Sequence, residues 1–336
     1  MDFTLDTEQQ ALRDAVREMA GRLTADEHIG APRLDTGRWQ ALAEMGVLVD
    51  EGIGPIEEMV IAEELGRAHV VVPYAETVLT TAVLRAAGND DLLATMAEGK
   101  AVVVPALAEP GRAWGTRPAT GFADDAVTGV KDPVPYADGA THLVVDTEAG
   151  LALVEAPTIA GSTAHLEGAA ATLLTEEPAV LEGALARATV ALCAEALGAM
   201  QTALDLTVDY LKTRKQFGVP LMTFQTLTQR AADLYVELEL ARSIVQYAAM
   251  TMADDDATVE ERVATASRAK VVVGKAGRLI GQEAIQMHGG IGMTAEYAVG
   301  HLTARLTAIE HTWGDTRQHV AALASQVGEH RAVEVI

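Results

Sequence analysis

Three glycines lie within four residues near the C-terminal end of the sequence, at Gly289, Gly290 and Gly292. A dinucleotide-binding fingerprint needs a strand before its glycines and a helix after them. A helical pattern precedes these glycines, so we reject that interpretation. Two others stay open: a helix stop, because glycine often follows the last helical turn, and a backbone that a bulky ligand can approach, because glycine has no Cβ.

A cationic segment lies upstream, in which Arg214, Lys215, Gln216, Phe217 and Gly218 follow one another. A helix C-terminus carries a negative dipole, so a phosphate near the glycines needs positive charge from elsewhere. The guanidinium of Arg214 can bind a diphosphate through two parallel hydrogen bonds, although a cation that compensates a helix C-terminus is the alternative. The segment therefore predicts either a nucleotide contact or an ordinary helix end.

Two further pairs of side chains are of types that suit a nucleotide. Phe217 and Phe224 can cover one, although aromatic residues by default predict core positions. Gln225 and Gln286 carry amides that suit adenine or ribose edges, although most glutamines lie on exposed helix faces. None of these residues decides the function by itself.

The composition excludes several classes of protein. The formal net charge of −23 argues against a nucleic-acid partner, which would need a basic face. Cys193 is the only cysteine, so no internal disulfide can form, as expected in a reducing cytoplasm. The first residues lack the basic and apolar regions of a signal peptide, and the apolar run 101–108 is too short to span a bilayer. We therefore expect a cytoplasmic protein without a membrane segment, and we predict no metal site.

The chain changes character twice, and these changes predict three domains. Residues 1–98 carry apolar residues at helical spacing. Residues 99–178 contain short β-rich runs between Gly, Pro and Asp turns, which are typical of a small antiparallel sheet or barrel. Residues 179–336 contain four long amphipathic segments, the last over about 301–327, and predict an antiparallel helical bundle. The predicted fold class is therefore α+β, with helices, then strands, then helices.

Taken together, the motifs resemble those of the acyl-CoA dehydrogenase family. The family has the same order and spacing of Arg-Lys-Gln-Phe-Gly, then Phe224-Gln225, then Gln286-Met-His-Gly-Gly-Ile-Gly, and the Glu-Glu-Leu-Gly-Arg-Ala run at 63–68 agrees with it. The resemblance covers the whole chain and implies a helical N-terminal domain, a middle β domain and a C-terminal four-helix bundle. It also implies FAD as the cofactor and desaturation of an acyl-CoA thioester, in which a glutamate takes the α-proton and the β-hydride goes to flavin N5.

In that family the two motifs reach across a subunit interface to the ADP half of a neighbour's FAD. The prediction therefore concerns the nucleotide tail of the cofactor. The matching positions, which we predict to bind it, are Arg214, Gln216, Phe217, Phe224, Gln225, Gln286, Gly289, Gly290 and Gly292.

The family's catalytic glutamate has no counterpart at either of its two usual positions. Trp313 precedes Gly314 where most members carry the glutamate, and Ala188 occupies the alternative position early in the first bundle helix. Abstraction of an α-proton needs a positioned base, and neither side chain can accept a proton. A shifted register would allow Glu310 or Asp315 to substitute, and this alternative stays open.

The predicted middle domain departs from the family as well. The stretches that hold the flavin ring in full-length relatives correspond to residues 108–115 and 131–136. Pro133 and Pro135 fall where ring-contacting residues would lie, and proline offers no backbone N–H. The same prolines predict an edge or a loop rather than a central strand.

These departures predict a non-catalytic subunit of a heteromeric FAD-dependent acyl-CoA dehydrogenase. The chain is similar to the smaller subunit of actinobacterial α2β2 enzymes that act on steroid side-chain CoA thioesters. Its expected partners are a paralogous subunit that carries the glutamate, an acyl-CoA substrate in the complex, and an electron-transferring flavoprotein. Two alternatives stay open: a self-sufficient homo-oligomeric dehydrogenase, and a purely structural subunit that binds no flavin.

Overall fold

The computed structural model of the protein describes residues 4–23 and 32–325, and its first part consists of helices. Local sequence signals set several of their ends. Asp6 accepts a hydrogen bond from the Gln9 backbone N–H and closes a capping box, and Pro55 occupies the first turn of its helix, where a missing N–H costs nothing. The five helices are α1 (Thr7–Arg22), α2 (Thr36–Met45), α3 (Pro55–Arg67), α4 (Tyr74–Ala86) and α5 (Asp90–Ala97).

A seven-stranded sheet follows, in the order β1-β4-β5-β7-β3-β2 with β6 paired to β7. The pairing of β1 with β4 is parallel and the other pairings are antiparallel. The predicted antiparallel sheet therefore contains one parallel pairing, at its β1 edge. The strands are β1 (Val103–Ala106), β2 (Gly121–Ala123), β3 (Ala126–Lys131), β4 (His142–Thr147), β5 (Gly150–Glu155), β6 (Thr158–Ala160) and β7 (Thr163–Thr175).

Long helices form the rest of the described chain. A short hairpin, β8 (Lys215–Gln216) with β9 (Val219–Pro220), separates the first two of them. The helices are α6 (Pro178–Thr213), α7 (Gln225–Ala253), α8 (Val259–His288), α9 (Ala298–His311) and α10 (Thr316–Ser325). The α+β order of helices, strands and helices is confirmed.

The predicted fourth bundle helix is interrupted, which corrects the single segment expected over 301–327. Trp313 and Gly314 both have positive φ, 54° and 95°, and they end the helical path between α9 and α10. Lys270 of α8 donates to the Ile309 and Thr312 carbonyls at 2.7 and 2.6 Å and so caps the end of α9. The predicted end of this segment, Val327, lies outside the described residues.

The N-terminal helices pack directly on the bundle through two glycines. A Cβ at Gly66 of α3 would collide with the backbone of Glu195 in α6, and a Cβ at Gly198 would collide with the backbone around Glu63 in α3. Only glycine allows two helices to approach this closely. The Thr80 hydroxyl of α4 donates to the Val103 carbonyl in β1 at 3.2 Å. These contacts hold α3 against the bundle and α4 against the sheet.

Candidate functional site

The arginine segment forms the turn that leaves α6. Arg214 caps this helix, its backbone N–H donates to the Tyr210 carbonyl at 2.8 Å, and its side chain is exposed. No hydrogen bond or ion pair joins the Arg214 guanidinium to another residue in the described part of the chain. A cation without an internal partner is free to meet an anion from outside the chain.

The β8–β9 hairpin presents an aromatic side chain to solvent. Its two loop residues, Phe217 and Gly218, have φ of 53° and 83°, as the tight two-residue turn between such strands requires. Phe217 is 92% exposed and meets the ring of Phe224 edge to face, at 6.2 Å and 79°. Gln216 is exposed on β8. The structure therefore places neither phenylalanine in the core.

Phe224 and Gln225 lie where α7 begins. Phe224 is the N-cap residue and Gln225 is the first helical residue, and both are exposed. No side chain caps this end of α7. The first backbone N–H groups of a helix carry partial positive charge, so this end adds to the attraction of an anion.

The glycine motif ends α8 as the helix-stop interpretation predicts, and it also leaves open space. Gly289 has a φ of 65°, and a Cβ added at Gly289 or at Gly290 would meet no atom within 4 Å. Gln286 is exposed on the last turn. Gly292 differs, because it is buried and a Cβ there would lie 3.0 Å from that of His288. Gly292 therefore serves the packing of the turn, and the two preceding glycines leave its outer side accessible.

His288 fixes this turn in place, a role that the sequence analysis did not assign. Its Nδ1 lies 2.8 Å from the Ala284 carbonyl, which only accepts, so Nδ1 carries the proton and Nε2 accepts from the Tyr297 hydroxyl at 3.2 Å. Burial lowers the pKa of His288, which favours this neutral form. The Tyr210 ring stacks on His288 at 4.5 Å, and Tyr210 lies one turn before Arg214. The ends of α6 and α8 are thus neighbours, and we call the surface formed by residues 214–225 and 286–290 the nucleotide face.

A cavity of about 1000 Å³ lies between the sheet, α4, α6 and α9. Trp313 is buried in its wall, in the left-handed backbone conformation that is uncommon for a bulky residue. Ala188 is fully buried in α6, outside the described lining of the cavity. The apolar part of the lining includes Leu107, Trp114, Leu181, Leu185, Leu192 and Trp313.

The two carboxylates proposed as substitute bases have structural contacts and do not belong to the described lining of this cavity. Glu310 accepts from the Thr316 backbone N–H at 2.9 Å, and its other oxygen lies against Gly274 of α8. The Asp315 carboxylate accepts from the Gln318 backbone N–H at 2.8 Å, and the Asp315 backbone N–H donates to the Gln318 side-chain oxygen at 2.8 Å, which completes a capping box. Both carboxylates therefore organise the start of α10.

Glu109 lies in the stretch 108–115, which the sequence resemblance predicts to match a flavin-ring loop, and its carboxylate is satisfied within the chain. It accepts from Lys131 at 2.9 Å, from the Thr120 hydroxyl at 2.6 Å and from the Ala119 backbone N–H at 2.9 Å, and it pairs with Arg112 at 3.0 Å. Desolvation alone would raise the pKa of Glu109, but the hydrogen bonds from Thr120 and Lys131 outweigh it and lower the pKa to about 2. The carboxylate thus holds loop 109–120 to β3.

The proline segment at 132–135 offers no free backbone donor. Asp132 donates its N–H to the Ala108 carbonyl at 3.0 Å and Val134 donates to the Ser162 carbonyl at 2.8 Å, and Pro133 and Pro135 have no N–H. The segment is a loop, as predicted. The polar edge of a flavin ring needs hydrogen-bond donors, and the backbone of this segment offers none.

Glu76 in the first turn of α4 is a cavity residue that the sequence analysis missed. It is 3% exposed and lines the cavity together with Arg305 of α9. Arg305 is already bound to Glu195 of α6 through two hydrogen bonds of 2.6 and 2.8 Å. Burial therefore raises the pKa of Glu76 to about 7, although the positive charge of Arg305 opposes the shift. Its position in an ordinary alanine-rich and threonine-rich helix carries no signal in the sequence.

Solved structures that share this architecture indicate the class of protein to which the chain is similar. The Tcur3481–Tcur3483 steroid ACAD, solved as a variant, superposes with a TM-score of 0.85 at 28% identity, covering 97% of this chain and 99% of that chain. A chain of the ChsE4–ChsE5 complex from Mycobacterium tuberculosis superposes with a TM-score of 0.82 at 23% identity, covering 99% and 100%. The fold is that of the acyl-CoA dehydrogenases.

Sequence comparison places the chain in the same family. Residues 179–327 match the family model described as the acyl-CoA dehydrogenase C-terminal domain. The chain is 32% identical to acyl-CoA dehydrogenase FadE28 of Mycobacterium tuberculosis over 323 residues, covering 88% of this chain and 90% of the relative. It is 27% identical to IpdE2 of Mycolicibacterium smegmatis, covering 96% and 100%. The chain belongs to the acyl-CoA dehydrogenase family.

Within residues 4–23 and 32–325, no helix combines the length and the apolar character that crossing a bilayer requires.

Proposed function

We propose that this chain is the non-catalytic subunit of a heteromeric acyl-CoA dehydrogenase and contacts the ADP half of a FAD whose ring lies in a paralogous subunit. One observation carries the proposal. The exposed Arg214 has no partner among the described residues, and the Tyr210–His288 contact brings the end of its helix to the end of α8, where two glycines have open space around them. The cavity has Trp313 where the family carries its glutamate.

The nucleotide face has the groups that a diphosphate and an adenosine need. The guanidinium of Arg214 supplies two parallel donors for the diphosphate, and the uncapped start of α7 adds partial positive charge. Phe217 supplies a flat apolar surface that no described residue covers except at its edge. The amides of Gln225 and Gln286 supply donors and acceptors for ribose or adenine. Gly289 and Gly290 let the ligand reach the backbone.

The chemistry in this assembly divides between the subunits. FAD, when bound, would supply the acceptor for the β-hydride, and a glutamate of the partner subunit would take the α-proton. The substrate we propose is a steroid side-chain CoA thioester, because one relative of known structure is described as a steroid ACAD. Electrons then pass to an electron-transferring flavoprotein. We place the complex in the cytoplasm, since Cys193, the only cysteine, is buried and reduced.

Exposed apolar side chains support an interface next to the nucleotide face. Met293 is 80% exposed, and Tyr235, Val236 and Leu240 on α7 are each more than half exposed. Large exposed apolar groups on neighbouring elements mark protein–protein contacts. The proposed partner covers them.

The first alternative, a homo-oligomeric dehydrogenase with Glu310 or Asp315 as base, is disfavoured by the contacts of both carboxylates. Turnover of the complex with Glu310→Gln or Asp315→Asn separates the two proposals, because a large loss in either variant at unchanged stability supports the alternative. The second alternative, a structural subunit without flavin contact, predicts that Arg214 has no influence on flavin content.

The central experiment co-expresses the chain with its paralogous partner and measures flavin absorbance per complex. We expect a yellow complex, and Arg214→Ala should weaken FAD binding about 10- to 100-fold, because a charge-assisted bidentate contact contributes about 1.5–3 kcal/mol. Lys100→Ala is the matched control: it also removes an exposed cation, one whose contact is a surface ion pair with Glu98. Unchanged flavin content in Arg214→Ala, or FAD and full activity in this chain isolated alone, contradicts the proposal.

A further inference from the structure

Three aromatic side chains join the two helix ends behind the nucleotide face. The centre of the His288 ring lies 4.5 Å from that of Tyr210 and 4.8 Å from that of Tyr297. Tyr210 belongs to α6, His288 is the last residue of α8, and Tyr297 is the N-cap of α9. The Tyr210 carbonyl also accepts the Arg214 backbone N–H at 2.8 Å. We call the three rings the aromatic joint.

The hydrogen bonds of the joint require a neutral His288. Its Nδ1–H donates to the Ala284 carbonyl at 2.8 Å, which leaves Nε2 as the acceptor for the Tyr297 hydroxyl at 3.2 Å. A proton on Nε2 would remove this acceptor. Because the side chain is only 3% exposed, the imidazolium would also carry its charge away from water. Protonation therefore costs the joint one hydrogen bond and adds a buried charge.

The surroundings of His288 do not compensate that charge. The titratable groups that face it are Tyr210 of α6 and Tyr297, and Asp209 of α6 interacts electrostatically with Tyr297. Burial lowers the pKa of His288 from 6.5, although contacts with two backbone carbonyls oppose this shift. Within the described chain, no carboxylate contributes to the shift. The joint therefore stays neutral at pH 7.

The joint holds together the two backbone segments of the nucleotide face. Gly289 directly follows His288 with a φ of 65°, and Gly290 comes next with open space beside it. Arg214 caps α6 one turn after Tyr210. A ligand that contacts both segments binds best when their separation is fixed before it arrives.

We propose that the aromatic joint is an acid-sensitive support of the nucleotide face, in which neutral His288 holds the glycine turn against the end of α6 and its protonation opens the joint and releases FAD. The inference rests on the function proposed above. His288 is a positioning residue, because it acts through the backbone that it holds.

The direction of the pH dependence follows from the burial of the imidazole. In the open joint the pKa of His288 returns towards 6.5, whereas in the closed joint it is lower. The closed joint is therefore fully stable above pH 6.5 and loses stability as the pH falls below that value. At pH 5.5, proton binding favours the open joint about tenfold more than at pH 8.

The test measures the rate at which the co-expressed complex releases FAD after dilution, by flavin fluorescence between pH 5.5 and 8. Release from wild type should be about tenfold faster at pH 5.5, because it passes through the open joint. His288→Gln keeps a donor for Ala284 and an acceptor for Tyr297 but takes up no proton, so its release rate should not change with pH.

Two further variants test the contacts of the joint. Tyr297→Phe loses the hydroxyl that Nε2 accepts and should release FAD about 3- to 10-fold faster than wild type at pH 8. His165→Gln is the matched control: it removes an imidazole that is exposed on β7 and should keep the wild-type pH dependence. An unchanged release rate in Tyr297→Phe would contradict the inference.

A second measurement does not depend on flavin. In urea unfolding of the same complexes, the ratio of the unfolding constants of wild type and His288→Gln should rise about tenfold from pH 8 to pH 5.5. Equal acceleration of FAD release by acid in the two proteins, or none in wild type, would overturn the inference and leave the proposed function standing. A complex that takes up no FAD would contradict the proposed function instead, and the unfolding ratio would then decide whether His288 is acid-sensitive.

Discussion

The nucleotide face and the cavity both carry polar groups, but those groups are satisfied in different ways. On the nucleotide face, Arg214 and Phe217 extend from the chain without covering residues of their own, and Gly290 has open space beside it. At the cavity rim, Glu109 and Lys131 satisfy each other. The two kinds of group can be distinguished by experiment. Groups that bond to each other within the chain contribute to its folding stability, whereas groups whose partner comes from outside the chain do not.

The largest effect should come from breaking the internal contact at the rim. Lys131 is fully buried and donates to Glu109, so Glu109→Met leaves a buried ammonium without this carboxylate and should lower the free energy of unfolding by about 3–5 kcal/mol. Urea unfolding measures the loss. The control is Glu98→Met, whose ion pair with Lys100 is exposed and should change stability by less than about 1 kcal/mol. Equal effects in the two variants would remove the contrast between the regions.

The next effect depends on pH and concerns Glu76. Its pKa is raised from 4.5 to about 7 by burial, so the folded state binds its proton more tightly than the unfolded state does, and stability falls as the pH rises from 4.5 to 7. Glu76→Gln removes this penalty. Its stability should exceed that of wild type by up to about 3 kcal/mol at pH 8.5 and by little at pH 5. Unfolding at the two pH values measures the difference, and a pH-independent difference would contradict the burial of an unpaired carboxyl.

A smaller effect distinguishes two glycines of one motif. Gly292→Ala forces a Cβ to 3.0 Å from His288 and should cost about 1–3 kcal/mol of stability. Gly290→Ala adds its Cβ to open space and should leave stability within about 0.5 kcal/mol while it reduces flavin content. If Gly290→Ala retains full flavin, the space above this glycine is not where the cofactor lies.

The smallest effect on folding is expected at the nucleotide face itself. Phe217 is 92% exposed, so Phe217→Ser should change the free energy of unfolding by less than about 0.5 kcal/mol. The same variant should weaken FAD binding in the complex, because the aromatic surface is lost. Differential scanning calorimetry measures the stability of the variant, and flavin absorbance measures its FAD content. A large loss of stability would show that Phe217 packs within the folded chain.

The order of helices and strands was predictable because it depends on local periodicity. The long strand β7 was not singled out, since its alanines, histidine and glutamate have low strand propensity. Pairing with β5, β3 and β6 makes it a strand. Tertiary pairing of this kind leaves no trace in the residues of β7 alone.

Prediction of the candidate site from the sequence was limited in the same way. The motifs around Arg214 and Gly289 could be found because their residues are adjacent in the sequence. The pairs Glu109–Lys131 and Glu195–Arg305 join residues that are far apart in the chain, and the exposure of Glu76 to a cavity depends on the packing of three elements. Contacts between residues so far apart in the sequence cannot be predicted before the fold is known. The break of the fourth helix at Trp313 was missed because the apolar pattern continues through it.

Helix α8 connects the two regions, and this has a mechanical consequence. It runs without interruption from Val259 to His288; Lys270 holds the carbonyls beside Trp313, and its last residue holds the glycine turn. At 1.5 Å per residue, Lys270 and His288 lie about 27 Å apart along the axis. A subunit that docks at the glycine turn therefore cannot change the shape of the cavity by a local rearrangement. It would have to shift or bend helix α8 as a whole.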